Sequence, residues 1–357
     1  MKEIFERLRE KFDVRENGKD IDSTRENDSR SRPANRPAKD PLKLKEELLK
    51  RYEGSDLSRV FDFERRENEL GQVLLMEKEV KEEFDLPRPK KEGEAGDPTE
   101  EILSDLKLLY GIGPVRENRL REEGYERISQ LKEHPQWCEQ AEKLLEELGD
   151  GGRERLTQLV LRWNGCGSPA ALRLSCFFQR SDFAILDIET LGLSQRPIIL
   201  LGIGLPQGKK LRVLQFLVGD PGQEPAALLE FLEAARERKA LISFNGKRFD
   251  LPYIEGRLKF YGMTGNLEAW KNSHFDMLHF SRQAWQKELP NCKLATIEQR
   301  KLSLDREIDI PGSMVPDFYR EYQDTGNPGP LVPIVEHNRQ DIASLATIFK
   351  VVGEDLL

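Results

Sequence analysis

The chain of 357 residues holds only four cysteines, Cys138, Cys166, Cys176 and Cys292, and no two of them form a C-x-x-C pair. That scarcity excludes a disulfide-framed scaffold and supplies no zinc-ligand spacing, so the thiols read as structural residues. Long apolar runs are missing as well. The longest, Ile198 to Leu205, falls far short of the roughly 20 residues that a membrane helix needs. The opening MKEIFERLREKF mixes charges among its apolar residues and lacks the apolar centre of a signal peptide, which points to a cytoplasmic protein without membrane association. Hydrophobic residues are also in short supply, at 38% against 34% charged, so part of the chain is expected to build no core. The net charge of -8 argues against coating nucleic acid by bulk electrostatics. It leaves room for a carboxylate site offset by bound metal, with local Lys and Arg clusters gripping phosphates.

Along the chain, residues 14–40 (VRENGKDIDSTRENDSRSRPANRPAKD) contain almost no large apolar side chains, and 86–98 (LPRPKKEGEAGDP) read as a linker. Residues 1–98 are therefore expected to form a mostly disordered or loosely helical charged arm, either a solvated tail or a docking segment for a protein partner. From Thr99 to about Asn164, leucines at three-to-four-residue spacing predict helices, and GCGSPA marks a boundary. Beyond it, FAILDIET, PIILLGIGL and LRVLQFLV read as strands, followed by the helix-like AALLEFLEAARER, the strand-like ALISF, the helix-like LPYIEGRLKFYG and a long helix near 334–352. The fold class is α/β, a sheet covered by helices.

Three acidic segments stand out. In FAILDIET, strand alternation puts Asp187 and Glu189 on one face, where paired buried carboxylates repel unless a cation lies between them. In FNGKRFDLPY, a strand ends at Asn245 and Gly246 and Asp250 opens a helix, an acid that could equally serve as an N-terminal cap. In EHNRQDIASLATIF, His337 and Asp341 lie four apart on one helical face beside the apolar stripe of Ile334, Ile342, Leu345 and Ile348. Each segment alone has a bland reading. Their joint occurrence, in this order, does not.

DIET, N-x-x-x-F-D-x-P-Y and a late helical acid resemble the three exonuclease motifs of the DEDD superfamily, as in the proofreading domains of family B polymerases. FNGKRFDLPYIEGR, HFDMLHFSRQAW, IPGSMVPDFYREYQDTG and EHNRQDIASL resemble more closely the YprB-like group of ribonuclease-H-like exonucleases, over about residues 180–350. The resemblance implies a ribonuclease-H-like mixed sheet flanked by helices, with a nuclease domain over 172–357. It also implies that Asp187, Glu189, Asp250 and Asp341 hold two divalent ions, Mg²⁺ or Mn²⁺, which activate a water and clamp the attacking and leaving oxygens. The 3′-to-5′ exonuclease polarity comes from the same source. A structure-selective endonuclease and a non-catalytic nucleic-acid-binding protein stay open beside it, although retirement usually removes a ligand and all four acids remain.

His337 departs from the better-known subclasses: it stands at the spacing where one subclass carries Tyr, so its role is either general base or orienter of water. Asp276, in HFDMLHFSR, is a candidate supporting acid, while His274 and His279 read as packing or hydrogen-bonding residues. Asn245, Lys247, Arg248 and Arg257 are candidate phosphate contacts. Finally, residues 108–131 resemble a helix-hairpin-helix motif, with Gly111 and Gly113 at the turn, Pro114 starting a helix, then Arg119, Leu120 and Gly124. That makes 99–165 a small all-α module expected to bind nucleic acid, DNA in preference to RNA. Val115 and Glu117 depart from the motif, at positions that usually carry a basic and a small residue.

Overall fold

The computed structural model describes residues 40–88, 97–149, 152–194, 196–265, 267–306, 308 and 310–357. Its centre is a seven-stranded mixed sheet, made of β1 (Glu64–Asn68), β2 (Gly71–Val80), β3 (Phe183–Thr190), β4 (Ile198–Gln207), β5 (Lys210–Leu217), β6 (Ala240–Ser243) and β7 (His274–Asp276). The order is β1-β2-β5-β4-β3-β6-β7, antiparallel from β1 through to β3 and parallel from β3 to β7. Alternation along β3 decides which helices cover it. Ala184, Leu186 and Ile188 pack against helices α5 (Glu224–Ala235) and α6 (Asp250–Phe260) through Leu228, Phe231 and Ile254. Phe183 and Ile185 point the other way, to Ile342, Leu345 and Phe349 of the long helix α9 (Leu331–Leu356). Asp187 and Glu189 continue that second face, so both acids come from the same side of the strand as α9.

The helical module consists of α2 (Pro114–Glu122), α3 (Cys138–Gly149) and α4 (Gly152–Asn164), with short turns of helix at Pro98–Ile102, Leu106–Leu108 and Ile128–Glu133. The first limb of the hairpin is broken where Asp105 turns its carboxylate to the Lys107 amide at 3.1 Å. The module does not stand apart. Ile102, Leu106, Leu120, Ile128, Leu131 and Leu156 belong to the same continuous core as Phe183, Ile185 and Phe349, and excising the module would strip apolar surface from the sheet. Helices α7 (Met277–Trp285) and α8 (Val315–Thr325) pack on α9 and complete the covering layer.

The expectation of an unstructured arm over residues 1–98 is corrected for residues 40–88, while residues 1–39 and 89–96 lie outside the described residues. Helix α1 (Pro41–Arg51) buries Leu44 and Leu48, and β1 and β2 form a hairpin that extends the sheet. The cause is tertiary. The short run Val73–Met76 is buried on both faces once β2 pairs with β5, Leu74 opposite Leu217 and Val80 opposite Leu211. A four-residue apolar run among charges carries no such signal until its partner strand is known. Phe84 follows, fully buried, its ring stacked 5.9 Å from Phe349 and its amide bonded to the Lys209 carbonyl at 2.7 Å. Among the described residues no helix is long and apolar enough to cross a membrane, and the four cysteines are free.

Candidate active site

Three elements converge on one end of β3. The β3–β4 register shifts between Glu189 and Thr190, a local irregularity of the kind that re-aims side chains at a strand's end. The loop beyond is held by Tyr253 of α6, whose hydroxyl lies 2.9 Å from the carbonyls of both Gly192 and Arg196. Asp250 is the first residue of α6, reached through a tight turn in which Asn245 adopts a left-handed φ of 62°. Asp276, 1% exposed, braces that turn by accepting from the Asn245 amide at 2.7 Å and the Lys247 amide at 3.1 Å, and it caps α7 through Leu278 at 3.1 Å. Asp341 enters from α9, one turn beyond His337.

Burial drives the protonation of this cluster, and mutual repulsion adds to it. Asp187 is pushed well above the usual carboxylate range by desolvation and then by Asp341, Glu189 and Asp250, against a hydrogen bond from Asn338. Desolvation raises Glu189 to about 8, with His337 and Arg306 opposing and Asp341 and Asp250 reinforcing. Asp250 rises to about 7 through burial, even though backbone amides favour its charged form. Asp341 is raised by burial too, opposed by His337 and Arg306.

Four residues that sequence reasoning passed over hold this arrangement. Asn338, fully buried, donates to the Asp187 carbonyl at 2.9 Å and carboxylate at 2.8 Å, and is itself fixed by Gln215 of β5 at 2.8 Å. The signal was there: a glutamine inside the apolar LRVLQFLV and an asparagine three residues before Asp341. Arg306 and Glu298 are the other two. Glu298, 1% exposed, lies at the start of a π-helical turn, Glu298–Leu302. It receives Arg306 on both oxygens at 2.7 and 2.9 Å, while Arg306 Nη2 reaches Asp341 Oδ1 at 2.5 Å and Nη1 meets His337 Nδ1 at 2.9 Å. A guanidinium only donates, so His337 Nδ1 accepts in this contact, and Nε2 of the ring lies 3.6 Å from Asp341 Oδ2. In this arrangement the ring nitrogen that could take a proton is already engaged.

The remaining candidates separate. Lys247 is half-buried and Arg248 exposed beside the Asn245 turn. Arg257 is no phosphate contact: it is 3% exposed and forked onto fully buried Glu224, with Nε to Oε1 at 2.7 Å, and Glu224 also accepts from the Ile198 amide at 2.9 Å. His274 is buried against the Ser243 hydroxyl at 2.6 Å, and desolvation lowers it to about 3, in keeping with a packing role. In the hairpin, Gly111 has a φ of 91° and its carbonyl accepts from Arg116 Nη1 at 2.5 Å, whereas Gly113 has an ordinary φ of -98° and caps α2 without a side-chain bond. Glu117 is buried in an ion-pair triad, 2.6 Å from Lys107 and 3.1 Å from Arg121, which explains an acid at a position where a small residue is usual. Val115 is 84% exposed, and Tyr110, 74% exposed, lies 5.9 Å from the ring of Trp163.

Four carboxylates from three elements, desolvated and mutually repelling, suit hard divalent cations in donor chemistry. Among the described residues no three His, Cys, Asp or Glu side chains close into a ready metal cage; Asp187 is turned to Asn338 and Asp341 to Arg306. The close approach of α9 to the sheet rests on glycine. A Cβ on Gly202 would collide with the Asn338 amide and lie 2.7 Å from Ile342 Cδ1. Gly202→Ala is accordingly expected to lower unfolding free energy in urea by about 1–3 kcal/mol and to weaken Mn²⁺ binding, because Asn338 loses its grip on Asp187. Unchanged values of both would show that α9 shifts at no expense.

Comparison with known proteins places this geometry. Residues 184–352 match the model of a family of the RNase H superfamily. The chain is 28% identical over 206 residues to the uncharacterized protein YprB of Bacillus subtilis (strain 168), covering 57% of this chain and 49% of that protein, so it spans about half the length of that relative. The structure of the family B DNA polymerase from the hyperthermophilic archaeon Pyrobaculum calidifontis aligns with a TM-score of 0.36 at 15% identity, over 46% of this chain and 23% of the polymerase. Residues 184–352, with strands β3 to β7 and the closing helix α9, are thus the part of the chain that is RNase H-like in fold and similar to the RNase H superfamily.

Proposed function

We propose that the chain is a divalent-metal-dependent nuclease that hydrolyses phosphodiester bonds of nucleic acid, working as a 3′-to-5′ exonuclease. The observation that carries this reading is the cluster of half-buried Asp187 with buried Glu189, Asp250 and Asp341, each raised above its normal ionisation range, in an RNase H-like domain. A cluster of that kind is costly to a fold, and such costs are characteristic of functional sites. In this proposal the four acids hold two ions, Mg²⁺ or Mn²⁺, which when bound activate water and neutralise charge building on the phosphate. Asn338 orients Asp187, Asp276 fixes the turn that presents Asp250, and His337 offers its N–H side to Asp341. Lys247, Arg248 and the left-handed Asn245 turn lie where they can meet the backbone of the strand being cut. Incubating the protein with 5′-labelled single- and double-stranded DNA and RNA, with Mg²⁺ or Mn²⁺, tests the reading. A descending ladder from the 3′ end is expected, internal cuts would indicate an endonuclease, and intact but retained strands a binding protein.

The helical hairpin is assigned the grip on the substrate, DNA in preference to RNA, through the turn at Gly111 and Gly113 and the uncapped start of α2. Val115 projects at that start, so Val115→Glu sets a negative charge where a phosphate would lie while favouring the helix dipole. Affinity for fluorescently labelled DNA in EDTA should fall by about threefold or more at low salt, with the difference fading as salt rises. Equal affinity at all salt concentrations would remove the hairpin from the binding surface.

A further inference from the structure

We propose that Arg306 is a built-in counter-cation that a divalent ion has to displace from Asp341, so that this arginine sets the metal affinity of the site. The inference rests on the metal-dependent reading above and adds to it a residue that tunes occupancy. Arg306 comes from the loop that follows the π-helical turn, not from any of the three elements that carry the acids. Its side chain is only 10% exposed. One side of the guanidinium is forked onto Glu298, and Glu298 is held in turn by the Ser344 hydroxyl of α9 at 2.5 Å. The other side reaches Asp341 Oδ1 at 2.5 Å and His337 Nδ1 at 2.9 Å.

The asymmetry of these contacts decides the outcome. Glu298 is buried and anchored to α9 by Ser344, so it keeps Arg306 in place when Asp341 turns toward an incoming ion. The ion then binds within a few ångströms of a fixed positive charge, while Asp341 gives up a charge-assisted hydrogen bond. Both effects oppose binding. Glu298 moderates them, since its carboxylate neutralises part of the guanidinium charge. At an effective dielectric of about 20, a unit charge at such separations changes an equilibrium by well over tenfold.

The test is Mn²⁺ binding to the full chain at neutral pH without nucleic acid, read from the electron paramagnetic resonance signal of free Mn²⁺. Arg306→Gln is expected to bind Mn²⁺ at least about tenfold more tightly than wild type. Arg306→Lys, which keeps the charge but not the fork, should stay near the wild-type value, and Glu298→Gln, which leaves the arginine less neutralised, should bind more weakly. A role limited to bracing the loop would move all three variants the same way and would overturn the proposal. Wild-type-like affinity in Arg306→Gln overturns it also, with the nuclease reading intact. If wild type binds no Mn²⁺ and Asp187→Asn behaves identically, the metal-dependent reading and this proposal fall together.

Discussion

Phosphodiester hydrolysis by Asp187→Asn and by Asp341→Asn is expected to fall at least about a hundredfold, since changes merely adjacent to metal ligands already cost ten- to a hundredfold. Excess EDTA should abolish the wild-type activity to the same level. The two variants differ in what they relieve. Asp187 is opposed by three other carboxylates and supported by Asn338, whose amide can bond a neutral side chain equally well. Asp187→Asn should therefore fold into a more stable metal-free protein than wild type while losing the reaction, the trade between stability and activity that a strained site entails. Removing the charge of Asp341 leaves Arg306 with Glu298 and His337, so that variant gains less. Full activity in either variant, or wild-type activity in EDTA, would end the two-ion reading. A drop in melting temperature matching the lost activity would attribute the effect to folding instead.

The second large effect is a loss of metal-free stability as pH rises. In an unfolded chain these carboxylates titrate near 4, whereas in the folded chain Glu189 titrates at about 8 and Asp250 at about 7, with Asp187 and Asp341 raised as well. Between those limits the folded state holds protons that the unfolded state has released, so stability is greatest at the acidic end and declines through pH 7 to 8. Carboxylates shifted the other way do not mask this. Asp85 and Glu117, where burial is outweighed by the combined hydrogen bonds and charges of Arg180 and of Lys107 and Arg121, lose their contribution only when pH falls through values below the unfolded ones. In EDTA the melting temperature should drop by at least about 5 °C between pH 5.5 and 8.5, corresponding to a few kcal/mol in a domain of this size. Mg²⁺ should restore it increasingly toward high pH. A flat or rising profile in EDTA would contradict the burial of charge at the site.

How much of this was readable beforehand follows from how local each signal is. FAILDIET declares a strand, a face and a pair of acids within eight residues, and the α9 stripe of Ile334, Ile342, Leu345 and Ile348 is buried as its spacing implies. Asp276 stands in HFDMLHFSR as a candidate supporting acid, but the backbone amides it holds are not legible there. The β1–β2 hairpin was not, because Val73–Met76 acquires meaning only beside β5, more than a hundred residues later. Arg257 misled for a related reason: a basic residue on a helix reads as solvated unless its partner is seen, and Glu224 precedes it by 33 residues. Arg306 had no legible signal, being one charge among several in KLSLDREIDI, and only the packing of that loop against α9 sets it beside Asp341.

The two margins of the sheet bear on whether it can grow. At one, β7 spans only His274–Asp276, too short to template a further strand. At the other, β1 is the run ERREN, its first four residues exposed, so an incoming strand would have to lie against two acids flanking two bases. Short or charged margins of this kind keep sheets from joining edge to edge into aggregates. The segment that composition assigned to a loose tail thus closes the sheet with a polar border, and the apolar centre of β5, which would otherwise be its outermost strand, is shielded from other copies of the chain.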